Sequence, residues 1–318
     1  MTQAIKNFPK QFLFEPEIKN ADKLSHFNKF IVCGIGGSAL AAEFFKIYNP
    51  HLDINTHRDY GLPNLPEKEL RERLIIASSY SGNTEEPISS FKEALEKKFS
   101  LSVIAVGGKL LEIARENEIP YITIPDTGIQ PHCALGFSLR AIAKLMGEET
   151  ILQETQTLST SLIPDKYEAQ GKALAEILKN KISIIYASNK NMAIAYNWKI
   201  KLNEAGKIPS FYNVIPESNH NEINGFEVPE LARKFHAIFL KDHRDHPQVV
   251  KRMGITEKIY KEKGVTTTAL ELSGASIWDK IFSSLLLADW TAHYLADEYG
   301  IDSESVSTVE NLKKLLNT

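Results

Sequence analysis

The chain has 318 residues, 43% of them hydrophobic, and a formal net charge of −3 from 37 basic and 40 acidic side chains. That length buries a sizeable core in one large or two medium domains, and interspersed charges close to balance argue against a nucleic-acid surface. Two cysteines, Cys33 and Cys133, exclude a disulfide framework and fit a reducing cytoplasm, while no apolar run reaches membrane-spanning length and nothing at the N-terminus resembles a signal peptide.

Residues up to about Asn28 read as a helical or irregular lead-in with scattered phenylalanines. Strands are predicted at 29–33, 52–56, 73–78, 101–106 and 120–124, with helical patterns before and after 73–106. That alternation predicts α/β architecture: parallel strands joined by right-handed crossovers in a doubly wound sheet. An amphipathic helix over 133–146 closes the unit, with Gly147 as its C-cap. A polar passage at 148–161 then marks a boundary, dividing the chain into domains 1–150 and 151–318.

The second half repeats the pattern. A helix at 167–178 precedes a strand at 182–187, a loop at 188–191 and a long helix ending near Gly206. Further strands are expected at 211–215, 235–240 and 265–272, with helices at 247–262 and 275–298; Trp278 and Trp290 on the latter read as core. The last segment, 303–318, reads as a short helix with the capping box Ser307-x-x-Glu310. Its Val306, Val309, Leu312 and Leu315 call for a partner surface, so it is expected to dock.

One stretch organises the rest: Ser78-Ser79-Tyr80-Ser81-Gly82-Asn83-Thr84-Glu85-Glu86, following the buried run Leu74-Ile75-Ile76-Ala77 and opening a helix. Free N–H groups, the positive helix end and the hydroxyls of Ser79, Ser81 and Thr84 form an anion cradle without adding charge. Gly34-Ile35-Gly36-Gly37-Ser38 has the same grammar, and the two turns can face each other at one sheet edge. Neither is a Walker loop, and the glycine spacing falls short of a dinucleotide fingerprint, so a simple phosphate ester is the expected ligand. The loop at 188–191 lacks both glycines and hydroxyls, which predicts one phosphate site per chain.

Glu204 closes the long helix, where the dipole disfavours a negative charge and should raise its pKa toward that of a general base; by position alone the plainer reading is an exposed helix-end glutamate. His220, in Asn219-His220-Asn221-Glu222, is either a turn residue or part of a site. Asp242-His243-Arg244-Asp245-His246 lacks a third anchor for a metal and reads as a solvated, charged loop. His132 and Cys133 are adjacent, about 100° apart on a helix, and do not form a dyad.

Taken together, the glycine turn, the Ser79–Thr84 turn, Asn203-Glu204 and His220-Asn221-Glu222-Ile223 resemble, in order and spacing, the bifunctional phosphoglucose/phosphomannose isomerases of the sugar isomerase (SIS) superfamily, from about Lys29 to Lys314. The resemblance implies two SIS subdomains, each a parallel sheet flanked by helices, in a homodimer with shared active sites. It implies that Gly36, Gly37, Ser38, Ser79, Ser81 and Thr84 hold the phosphate of a hexose 6-phosphate. Glu204 would shuttle a proton between C1 and C2. His220, from the neighbouring subunit, would open the sugar ring, assisted by a C-terminal lysine that matches Lys313, beside Lys314. The implied reaction joins glucose 6-phosphate and mannose 6-phosphate to fructose 6-phosphate through a cis-enediol, with no metal or other cofactor.

His132 stands where the family pattern usually has an arginine that stabilises enediolate charge. An imidazole is fully charged only below its pKa, about 6.5 when unperturbed. On this reading His132→Arg raises activity at pH 8 with little change in binding. Two alternatives share the cradle: a sugar-phosphate sensor without turnover, and an SIS enzyme of another phosphosugar.

Overall fold

Short apolar strands that are buried on both faces can lie only between helix layers. The computed structural model, which describes residues 1–316, has that arrangement twice. The chain divides into two compact units, one of residues 7–163 with 277–279, the other of residues 1–6, 164–276 and 280 onward.

After helix α1 (Thr2–Asn7) and a 3-10 turn at Phe8–Leu13, the first unit runs β1 (Lys29–Cys33), α2 (Gly37–Tyr48), β2 (Asp53–His57), α3 (Glu67–Arg71), β3 (Leu74–Ser78), α4 (Glu85–Glu96), β4 (Leu101–Ala105), α5 (Gly108–Glu116) and β5 (Tyr121–Thr123). Helices α6 (Leu135–Met146), α7 (Glu149–Gln156) and α8 (Leu158–Ser161) follow. All five strands are parallel in the order β2-β1-β3-β4-β5. Every residue of β3 and β4 is buried, which is why those segments read as continuous apolar runs. On one face Ile31, Ile75 and Val103 pack against Phe91 of α4 and Leu110 of α5. The predicted cap is present: Gly147 has φ +75° and donates to the Lys144 carbonyl. Trp278 is fully buried between the rings of Phe45 and Tyr48 and donates from Nε1 to Glu154.

The second unit runs α9 (Glu168–Leu178), β6 (Ile182–Ser188), α10 (Met192–Glu204), β7 (Ser210–Ile215), α11 (Pro229–Ala232), β8 (Phe235–Lys241), α12 (Pro247–Glu262), β9 (Thr266–Glu271), α13 (Ile277–Glu298) and α14 (Ser307–Leu316). Its parallel order β7-β6-β8-β9 repeats β2-β1-β3-β4. Trp198 and Trp290 are fully buried, their indole N–H groups donating to Ser284 Oγ and the Pro164 carbonyl, both at 2.9 Å. A buried ion pair, Lys201 to Asp289 at 2.6 Å, joins α10 to α13.

The expected docking of the last helix is corrected by its exposure. Val309, Leu312 and Leu315 stand 45%, 55% and 63% exposed, so its apolar stripe faces solvent within this chain. The final two positions of that predicted segment, 317 and 318, lie outside the described residues. Among those described, no helix is long and apolar enough to cross a membrane.

Candidate active site

Strands β1 and β3 are neighbours in register, so the turns leaving them, residues 34–38 and 79–84, lie side by side at the carboxyl edge, where such sheets bind ligands. Ser38 stitches the two together. Its Oγ accepts from the Tyr80 N–H at 2.9 Å and its carbonyl accepts from Ser78 Oγ at 3.0 Å. In the serine turn, Ser79 Oγ donates to Thr84 Oγ1 at 2.9 Å and accepts from the Gly82 N–H at 3.1 Å, while Ser81 Oγ accepts from the Asn83 N–H at 3.2 Å. Ser38 and Ser79 are buried and set the shape; Ser81 is exposed, and Gly36 and Thr84 are half-buried. Helices α2 and α4 begin at these turns, so unbonded amides and positive dipole ends are available to an anion.

Two glycines are required here for different reasons. Gly36 has φ +54° and ψ −133°, a region costly for any residue with a β-carbon. A β-carbon on Gly37 would lie 2.4 Å from the Pro131 carbonyl oxygen and 2.7 Å from the His132 nitrogen, so the segment after β5 presses on the cradle. A third turn, unnoticed in the sequence, braces the serine turn: Val106 and Leu110 N–H groups donate to the Tyr80 and Gly82 carbonyls, both at 2.9 Å, and the Lys109 N–H donates to Asn83 Oδ1 at 3.0 Å. Its signal was the pair Gly107-Gly108 after the β4 run.

The corresponding edge of the second sheet carries different chemistry. Asp242 accepts from Lys280 Nζ at 2.7 Å and from Asn191 Nδ2 at 3.1 Å, and Asn191 Nδ2 also reaches Asp245 at 3.2 Å. Burial pushes the Asp242 carboxyl up, but bonds from Lys280, the Arg244 N–H and Asn191 outweigh it and hold the pKa below the usual value; burial raises Asp245. Two carboxylates against one internal ammonium group leave an excess of negative charge at this edge, which disfavours a phosphate. The reading of 242–246 as a solvated loop holds for the exposed His243, Arg244 and His246 and is corrected at the two aspartates, which are buried. His246 Nδ1 accepts from the Gln248 N–H at 3.1 Å and caps α12.

Glu204 is the last residue of α10 and half-buried. Beside it Asn203 Oδ1 accepts from the Ser210 N–H at 2.8 Å, tying the helix end to β7. Lys207, with φ +61°, donates to the Glu204 and Ser305 carbonyls, and burial lowers its pKa. An open surface depression of about 560 Å³ adjoins this turn, lined by Lys199, Asn203, Lys207, Ser210, Phe211 and Thr308, so α14 starts next to the Glu204 turn. Lys313 and Lys314 are exposed on that helix. His220 is exposed as the last residue of the 3-10 turn Glu217–His220; a second turn, Glu222–Phe226, follows and is anchored by buried Phe226 against Tyr260 and Phe235. The six cradle residues thus share one edge of the first unit, while Glu204, His220 and Lys313 belong to the second.

His132 is only 1% exposed. The charge-stabilising role expected for it would have to be played from a buried position.

The profile of the family described as bacterial phospho-glucose isomerase C-terminal SIS domain matches residues 167–316. The solved C-terminal domain of glucosamine-fructose-6-phosphate aminotransferase from Francisella tularensis shares the fold, with a TM-score of 0.69 at 14% identity over 95% of each chain. A bifunctional phosphoglucose/phosphomannose isomerase from Caldicellulosiruptor bescii is 33% identical over 99% of this chain and 98% of its own. Another protein of that name, from Aquifex aeolicus, is 32% identical over 99% of this chain and 97% of its own. With such identity carried across nearly the whole of both partners, this chain belongs to the bifunctional phosphoglucose/phosphomannose isomerase family.

Proposed function

We propose that the chain interconverts glucose 6-phosphate and mannose 6-phosphate with fructose 6-phosphate, as an aldose-ketose isomerase acting through a cis-enediol. The observation that carries the reading is a neutral cradle of hydroxyls and helix-end amides in a chain similar, over its full length, to isomerases of that name. The cradle residues Gly36, Gly37, Ser38, Ser79, Ser81 and Thr84 hold the 6-phosphate, far from the reacting carbons, and that binding orients C1 and C2. Glu204 removes the proton from C2 of the aldose as the carbonyl oxygen on C1 is protonated. The resulting enediol gives its O2 proton to solvent, which replaces the proton taken up by O1, and Glu204 returns to C1 the proton it took from C2. His220 opens the ring beforehand, and Lys313 assists. The work divides between residues 1–150, which bind phosphate, and 151–318, which catalyse.

A homodimer is part of the proposal. The exposed His220 and the apolar stripe on α14 are supports, because both suit a second copy of the chain. A reducing cytoplasm is the proposed setting, in keeping with two buried thiols.

The test is a coupled assay in chelator with each hexose phosphate, for wild type and Glu204→Gln. Conversion should fall by about 10² to 10⁴ in the variant while substrate binding, measured by calorimetry, is retained. Equal turnover in the two proteins removes Glu204 as the base.

A further inference from the structure

The segment from Pro216 to Phe226 belongs to no strand, so the direction of His220 depends on what holds its neighbours. On one side Asn219 Nδ2 donates to Thr256 Oγ1 of α12 at 2.8 Å. On the other side, two residues on, the Glu222 carboxylate uses both oxygens: Oε1 accepts from the Tyr186 hydroxyl and Oε2 accepts from Asn213 Nδ2. Tyr186 and Asn213 are register partners on the paired strands β6 and β7. Their side chains therefore leave the same face of the sheet about 4.8 Å apart, and one carboxylate spans both. The Glu222 N–H also donates to Asn221 Oδ1 at 2.6 Å, and Asn221 Nδ2 donates to Glu217 Oε1 at 3.0 Å, which closes the loop on itself.

The strand side of this clamp is rigid. Tyr186 is fully buried, stacked on Phe239 with centroids 5.1 Å apart, and its hydroxyl lies 3.1 Å from that of Tyr260. Burial first, then the Tyr260 and Glu222 charges, pushes the Tyr186 phenol far above its ordinary range, so it remains a donor. Both groups facing Glu222 are thus donors. A carboxylate satisfies both; an amide of the same length offers one acceptor and turns an N–H toward a donor.

We propose that Glu222 is a positioning residue that clamps the His220 loop to β6 and β7 and acts on the isomerisation only through His220. The proposal rests on the ring-opening role given to His220 above. Nothing in it requires Glu222 to touch the sugar.

The experiment is a double-mutant cycle on the full chain with glucose 6-phosphate, using Glu222→Gln, His220→Ala and the double variant, with thermal melts to confirm folding. Glu222→Gln should lower kcat about 10- to 100-fold, as expected for a catalytic group displaced by about 1 Å, with KM within about 2-fold of wild type. In the His220→Ala background the same change should alter kcat by less than about 2-fold. Tyr186→Phe keeps the stacked ring and removes one donor; it should cost less, and again only when His220 is present. It carries the cycle if Glu222→Gln does not fold. A full multiplicative loss in the His220→Ala background overturns the proposal, as does a folded Glu222→Gln protein with wild-type kcat. His220→Ala at wild-type rate instead sinks the underlying role of His220, and the positioning role with it.

Discussion

Replacing Gly37 with alanine tests whether the segment after β5 shapes the phosphate cradle. The new β-carbon would sit 2.4 Å from the Pro131 oxygen and 2.5 Å from its carbonyl carbon, where ordinary contact begins at 3.4 Å. The backbones must therefore separate by 3.4 − 2.4 = 1.0 Å, and neither side is a flexible side-chain tip. Overpacking of this kind costs about 1 to 3 kcal/mol, which for a unit of this size lowers Tm by about 2 to 12 °C. A 1 Å shift of the glycine turn should also cut kcat/KM by about 10- to 100-fold. Gly36→Ala is the control: nothing lies within 4 Å of its β-carbon, so its cost is backbone strain alone, about 1 to 3 kcal/mol. Hydrogen exchange separates the two, because the amides of residues 132–134 should exchange faster in Gly37→Ala and at the wild-type rate in Gly36→Ala. A Gly37→Ala protein with unchanged Tm, kcat/KM and exchange at 132–134 refutes the reasoning.

The remaining expectations concern the interior. Burial lowers the His236 pKa from 6.5 to about 4, so between those values the unfolded chain holds more protons than the folded one. Stability contributed by neutral His236 is complete above about pH 6.5 and falls by about 3 kcal/mol as pH drops to 4; denaturant unfolding should show the decline, and His236→Gln should flatten that window. Lys201→Met leaves the buried Asp289 charge without its cation and should cost about 3 to 5 kcal/mol, part of which Asp289→Leu restores in the double variant; equal losses in single and double variants would disprove the pairing. His132→Arg, expected from sequence to speed the reaction at pH 8, now has to place a longer, charged side chain at a buried position. It should lower stability by about 1 to 3 kcal/mol without raising the rate at that pH; a stable, faster variant would restore the charge-stabilising role.

The strands were legible because parallel strands covered on both faces must be apolar throughout, as β3 and β4 are. The glycine and hydroxyl turns stood out because each follows such a run and opens a helix. Less visible were contacts between segments far apart in the chain. Pro131 against Gly37, the turn at 106–109 behind the serine turn, and Glu222 across β6 and β7 leave no periodicity, since each depends on how strands are ordered in the sheet. Asp242 and Asp245 misled for the same reason. A charged run looks solvated until the fold brings Lys280 to within 2.7 Å of one carboxylate.

Local patterning by itself therefore determined the duplicated α/β architecture, the position of the glycine and serine turns and the place of Glu204 at a helix end, because period, capping and turn chemistry act within a few residues. Tertiary structure decided what surrounds those elements: the burial of His132, the internal ion cluster at the second sheet edge, and the exposure of the α14 stripe. Burial and pairing are properties of neighbours in space, and only the folded sheet order selects those neighbours.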